Sequence, residues 1–216
     1  MSHTAEHSHD ASHAEVHVHR DDFGSKLGMW LFLFTEVILF GGLFLLYFSY
    51  RVKYSHDFHE GAMELDLVKG TMNTAILLTS SLTMALSILF LTKGNKKWSL
   101  IHLAVTILCG FGFLINKYFE YGHKIELGIY PSKTSGELMN MPEGQQVFFG
   151  LYWAMTGLHS FHVIVGMILL SYFGVQIIKQ TKVTQENYAR LENGGLYWHL
   201  VDLIWIFLFP LFYLLH

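Results

Sequence analysis

Residues 26–51 read KLGMWLFLFTEVILFGGLFLLYFSYR, and no other stretch limits the possible fold so strongly. Before Tyr47, the run that starts at residue 27 contains one ionisable side chain, Glu36. A run of about 20 apolar residues crosses the ~30 Å hydrocarbon core of a bilayer as an α-helix. Glu36 falls near the middle of the run, so it sits at membrane depth. A carboxyl there costs roughly 2.5–3.5 kcal/mol on insertion scales, and it faces protein or water rather than lipid. Trp30 and Tyr47 stand where the two membrane interfaces are expected. Gly41 and Gly42 would let a neighbouring helix approach closely.

Four further apolar runs follow, at residues 71–91, 100–119, 147–178 and 195–215. Only 14% of the chain is charged, against ~25% in soluble domains. The expected fold class is therefore all-α, an integral membrane bundle of five transmembrane helices. One domain is expected, at residues 26–216, behind a polar His-rich tail at 1–25. The tail carries His3, His7, His9, His13, His17 and His19. It lacks an apolar segment after a charged start, so it reads as a solvated tail and not as a signal peptide. Weak metal capture is the functional alternative for it.

The connections are read as loops at 51–70 and 122–146, a basic turn at 93–97 and a basic connection around Lys179, Lys182 and Arg190. The fourth run is longer than the bilayer needs, so it must tilt or project. Pro210 should kink the fifth. Thr79, Thr83 and Ser87 share one face of the second run and read as a helix-packing surface. Five spans put the termini on opposite faces. Lys and Arg are more numerous on the face of the tail, which orients the N-terminus to the cytoplasm and the C-terminus outside.

Composition also excludes chemistry. The only cysteine is Cys109. That rules out an intrachain disulfide, a c-type haem attachment and a dinuclear copper site with paired thiolates. No basic cluster of the kind that neutralises phosphates is present, so nucleic acid is not expected as a partner.

The polar groups inside the runs are Glu36, His102, His159, His162, His199 and Asp202, with Glu120 near an edge. Lys117 is three residues before Glu120 and able to pair with it. His199 and Asp202 stand at i, i+3, where a carboxylate can hold an imidazole. Trp198, Asp202 and Trp205 form one face. Three readings compete. A haem-b membrane anchor needs imidazoles from opposite sides of the ring, and His159 and His162 lie one turn apart on one helix. A transporter with Glu36 as proton carrier would show internal repeats, and none is seen. An accessory subunit would use the same groups for helix packing and for a partner's proton or lipid traffic.

Four stretches resemble subunit III of the haem-copper oxidases, the cytochrome c and quinol oxidases, in its short five-helix bacterial form. They are KLGMWLFLFTEVILFGGLF at 26–44, MNTAILLTSS at 72–81, TGLHSFHVIVG at 156–166 and YWHLVDLIWIFLF at 197–209, with a weaker FEYGHK at 119–124. The resemblance implies an accessory subunit of a proton-pumping terminal oxidase that reduces oxygen to water. It implies no catalytic residue, metal or redox cofactor in this chain, with haems and copper in the partner subunits. It implies direct contact with subunit I, a complex with subunit II and a small subunit IV, bound phospholipid, and a bacterial cell membrane. It marks Glu36 as a buried acid, reactive to hydrophobic carbodiimides, as a carboxyl protonated in apolar surroundings would be, with a role in proton buffering or lipid positioning. It marks His159, His162, Tyr197, Trp198, His199, Asp202, Trp205 and Glu120 as packing and lipid-contact positions. The mitochondrial-type subunit has seven helices, so the lipid-filled cleft built with two further helices is not part of the expectation. An accessory protein of nitric-oxide reductases is related and stays open at this point.

Overall fold

The computed structural model describes residues 11–130, 137–179, 183 and 188–214, with side chains from residue 24 onward, Glu137 excepted. Among the described residues six helices follow one another: α1 (Ala11–Lys53), α2 (Ser55–Met63), α3 (Leu67–Thr92), α4 (Lys96–Glu126), α5 (Glu143–Lys179) and α6 (Ala189–Tyr213). A single 3-10 turn, Glu137–Asn140, precedes α5. Five of the helices are long and apolar enough to cross a membrane, all but α2. His3, His7 and His9 lie outside the described residues, as do the side chains of His13, His17 and His19.

The helices outrun the apolar runs because hydropathy ends at the headgroups while the backbone continues to a stop signal. At both ends of α4 the stop signals are visible. Gly94 (φ 80) and Gly128 (φ 75) adopt the left-handed conformation that glycine enters without a Cβ penalty. Each closes the helix before it by paired bonds. Gly94 N donates to Leu91 O and Asn95 N to Phe90 O, while Gly128 N donates to Ile125 O and Ile129 N to Lys124 O. This pattern satisfies carbonyls that a helix end leaves open. Asp66 starts α3 by accepting from the backbone N–H groups of Val68 at 3.0 Å and Lys69 at 3.3 Å.

Residues 51–70 differ from the loop read in the sequence. They hold α2 and the first turn of α3. α2 buries Phe58, Gly61 and Ala62, against Phe148 of α5 and Tyr47 of α1. Its remaining faces are polar, so a window long enough to detect a membrane span averages it away.

α3 and α4 form an antiparallel hairpin, with the most extensive contact of any pair. Buried residues recur on α3 at Asn73, Leu77, Ser80, Met84, Ser87 and Leu91. On α4 they recur at Ser99, Leu103, Thr106, Gly110, Phe113, Lys117, Glu120 and Lys124. Alternating steps of four and three keep one seam facing the neighbour, as in left-handed bundles. The packing face of α3 is thus centred on Ser80 and Ser87, not on Thr79. Thr79 is exposed and returns its proton to Ala75 O at 2.8 Å.

α6 is the most enclosed span and α1 the least. Trp198 of α6 is fully buried because two glycines face it. A Cβ at Gly110 would meet its ring at 3.0 Å, and one at Gly166 at 2.8 Å. α1 lies against α5, α6 and α2. Its outer face is open: a Cβ at Gly41 or Gly42 would meet nothing within 4 Å. The close neighbour expected at those glycines is therefore not a helix of this chain. Tyr47 faces the bundle interior. It is 1% exposed, and its hydroxyl donates to Leu211 O at 2.7 Å, serving one of the last carbonyls of α6.

Candidate functional site

Glu36 projects from α1 toward α5, where Oε2 lies 2.9 Å from His162 Nε2. The other ring nitrogen, Nδ1, is 2.8 Å from Leu158 O. A carbonyl only accepts, so Nδ1 carries a proton. In a neutral imidazole Nε2 is then a bare lone pair. The contact is within ion-pair distance but lacks hydrogen-bond alignment, so Glu36 Oε2 is enclosed beside the ring without a hydrogen-bond partner among the described residues. It faces protein rather than lipid, as an acid at this depth does. Phe40 packs edge-on to the His162 ring, and Phe161 covers it from the same helix. Tyr197 of α6 donates to His162 O at 3.1 Å. Glu36, His162 and Tyr197 thus form one group, across three helices.

The remaining polar positions fall into separate groups. Asp202 accepts from Ser80 Oγ at 3.3 Å, and Trp198 Nε1 donates to the same Ser80 Oγ at 3.0 Å. His199 Nδ1 is 2.7 Å from Ser81 Oγ. The i, i+3 spacing of His199 and Asp202 therefore does not bring them together. Serines of α3 stand against both, Ser80 at Asp202 and Ser81 at His199. Trp205 Nε1 donates to Thr74 Oγ1 at 3.0 Å. His159 is fully buried between Phe113 and Trp205, and neither ring nitrogen has a partner among the described residues.

Glu120 is only 3% exposed, more enclosed than an edge position suggests. Lys117 Nζ donates to its Oε2 at 3.0 Å, as the spacing led one to expect. Tyr152 donates to Oε1 at 2.5 Å, and Tyr213 donates to the same oxygen. Lys117 also donates to Tyr213 Oη at 2.8 Å and lies over the Trp205 ring at 4.9 Å. This cage joins α4, α5 and α6. The two tyrosines were not read from the sequence. A signal did exist for Tyr152, which stands seven residues before His159 on the same buried stripe of α5.

No group of three or more His, Cys, Asp or Glu suited to a metal forms among the described residues. The histidines are dispersed. His102 Nδ1 donates to Trp98 O at 2.7 Å, and the ring stacks on Phe90. His159 and His162 come from one helix, and His162 and His199 are engaged by Glu36 and Ser81. This donor set does not fit a haem.

Residues 4–216 match the family model for cytochrome c oxidase subunit III. The chain is 30% identical over 208 residues to "Cytochrome bo(3) ubiquinol oxidase subunit 3" of Pseudomonas aeruginosa, covering 96% of this chain and 93% of the relative. It is 31% identical over 194 residues to "Cytochrome c oxidase subunit 3" of Alkalihalophilus pseudofirmus, covering 88% of this chain and 85% of the relative. A third relative, "Heme-copper oxidase subunit I+III" of Aeropyrum pernix, is 28% identical over 194 residues, which cover 88% of this chain and 22% of that longer protein. The haem-b anchor and nitric-oxide reductase readings find no support among these. A five-span helical bundle, a buried acid paired to a histidine and a match over nearly the whole length lead to one conclusion: the chain belongs to the cytochrome c oxidase subunit III family.

Proposed function

We propose that this chain serves a haem-copper terminal oxidase without a redox centre of its own, holding the catalytic subunit in working condition during oxygen reduction and proton pumping. The observation that carries this reading is the Glu36–His162 contact, a buried acid 2.9 Å from a histidine ring inside the bundle. Haems and copper then belong to the partner subunits. Subunit I is the direct neighbour, a reading supported by the relative in which I and III are one protein. Subunit II and a small subunit IV complete the complex, and phospholipid fills the outer grooves. Relatives are named for quinol and for cytochrome c, and both donors are compatible with a chain that meets neither.

The N-terminus is assigned to the cytoplasm. The tail face carries Arg20, Lys26, Lys93, Lys96, Lys97, Lys179, Lys182 and Arg190, against Arg51, Lys53, Lys69, Lys117, Lys124 and Lys133. Burial strengthens the bias, because Lys117 and Lys124 are inside the bundle and do not face the opposite solvent.

Glu36→Gln tests the role of the pair. An amide keeps the size and polarity of the side chain beside His162, so the helices stay in register, but the ionisable carboxyl is lost. The expected outcome is a normal haem spectrum and initial turnover in the assembled oxidase, with a shorter working life under sustained turnover. An unchanged lifetime would remove Glu36 from the function.

A further inference from the structure

Asp202 stands near the middle of α6, at membrane depth, and is 3% exposed. Among the described residues no Lys, Arg or His forms an ion pair with it. A lone carboxylate in such a place is the costly form of the group. The titratable groups of the surrounding helices do not relieve it. α4 brings Cys109 near the carboxyl, and its buried cation Lys117 is claimed by Glu120. α5 brings His159, whose ring lies on Trp205. α6 carries His199, whose Nδ1 is engaged by Ser81, and Glu36 of α1 is turned to His162. α3 presents hydroxyls, Ser80 and Ser81.

Ser80 shows how the acid is met. Its hydroxyl has one proton and two lone pairs. Three groups approach the oxygen: Leu77 O at 2.7 Å, Trp198 Nε1 at 3.0 Å and Asp202 Oδ2 at 3.3 Å. The indole can only donate and the carbonyl can only accept. Read with serine as donor to both oxygens, one proton must serve two acceptors. Leu77 O is the nearer and takes it. The indole N–H fills one lone pair. An ionised Asp202 would then lie against the other. A neutral Asp202 instead fills that lone pair with its own O–H, and each partner of Ser80 is served once. The second oxygen fits the same state. Oδ1 is buried and accepts from no donor among the described residues. Leaving a charged oxygen unmet costs far more than leaving the carbonyl oxygen of a neutral acid.

We infer that Asp202 is a proton-binding site separate from Glu36, held as the neutral acid, and that its proton, donated to Ser80 Oγ, ties α6 to α3. Release of that proton to water leaves a carboxylate facing the serine oxygen. Ser80 must then turn its own proton from Leu77 O to Oδ2, and the Leu77 carbonyl loses that bond. The bound proton therefore latches the two helices, and its loss loosens the seam between them. Nothing in this site depends on what Glu36 does.

The test uses the assembled oxidase in nanodiscs at neutral pH and records infrared absorption in the C=O stretching region of protonated carboxyl groups. Asp202→Asn has nearly the same shape, and its amide donates to Ser80 as the acid does, so the helices stay in place. The spectrum of the wild type minus that of the variant is expected to show one protonated-carboxyl band lost and no carboxylate band lost. Glu36→Gln should leave that band untouched. Ser80→Ala removes the acceptor and should shift the band to higher wavenumber without abolishing it. On thermal unfolding, Asp202→Leu should melt well below Asp202→Asn, because only the amide keeps the donor. A carboxylate band lost in place of the protonated one would overturn the proposal, and so would a band that Ser80→Ala does not move. Should Asp202→Asn fail to assemble, the comparison is made between wild type and Ser80→Ala with aspartate isotope-labelled at its side-chain carboxyl carbon. A label-sensitive protonated band that moves with the serine supports the site, and the lack of one refutes it.

Discussion

Glu120 is held by three donors from three helices, and its cation Lys117 is 1% exposed. A buried ion pair contributes little when replaced whole, but removing one member leaves an unpaired charge and costs roughly 3–5 kcal/mol. Lys117→Met is therefore expected to lower the thermal stability of the subunit strongly. Lys117→Met combined with Glu120→Leu should recover much of the loss. A double-mutant cycle on thermal unfolding checks this, since coupled residues in one network depart from additivity. Half of this cage was legible in the sequence, because Lys117 and Glu120 are three apart on one helix. Tyr152 and Tyr213 were not, as they arrive from 32 and 93 residues away. Residue spacing reports neighbours within a helix and is silent on which helix comes next to it. For the same reason the Glu36–His162 pair was readable as two buried groups and not as a contact.

Helix packing turns on small residues where a large ring must enter. Trp198 fills the space left by Gly110 of α4 and Gly166 of α5. Gly166→Leu is expected to destabilise the bundle by about 1–3 kcal/mol, the usual cost of overpacking a filled core. Gly41→Leu should leave the isolated full chain unaffected, because nothing stands within 4 Å of the added atom. Thermal unfolding of the two variants side by side measures the contrast. The five spans were legible at this scale, since hydropathy over about 20 residues has one physical meaning in a bilayer. α2 was not, because a nine-residue helix with one apolar side falls below that window. On α3 the sequence placed two residues of the packing face correctly, since Thr83 and Ser87 bond Thr106 and Ser99 of α4, and one wrongly, the exposed Thr79. Hydroxyls are common on both sides of this helix, and bonding back to a carbonyl of the same helix occurs at the exposed Thr71 and Thr79 and at the buried Ser80 alike.

At the scale of the whole molecule, apolar side chains dominate the outer girdle of the five spans, while the buried polar groups lie enclosed within the bundle. Exposed residues such as Leu45, Val52 and Leu108 ring the bundle. Such a body is built to sit in lipid. The central claim is that this subunit prolongs the work of a catalytic neighbour through buried protonatable groups. The most direct measurement removes this chain from its oxidase and follows haem absorption and oxygen uptake over many turnovers, with and without the chain added back. The expected result is an unchanged spectrum, a nearly normal initial rate and an accelerated loss of activity that the added chain reverses. A haem band that leaves with this chain, or a working life indifferent to its removal, would contradict the claim.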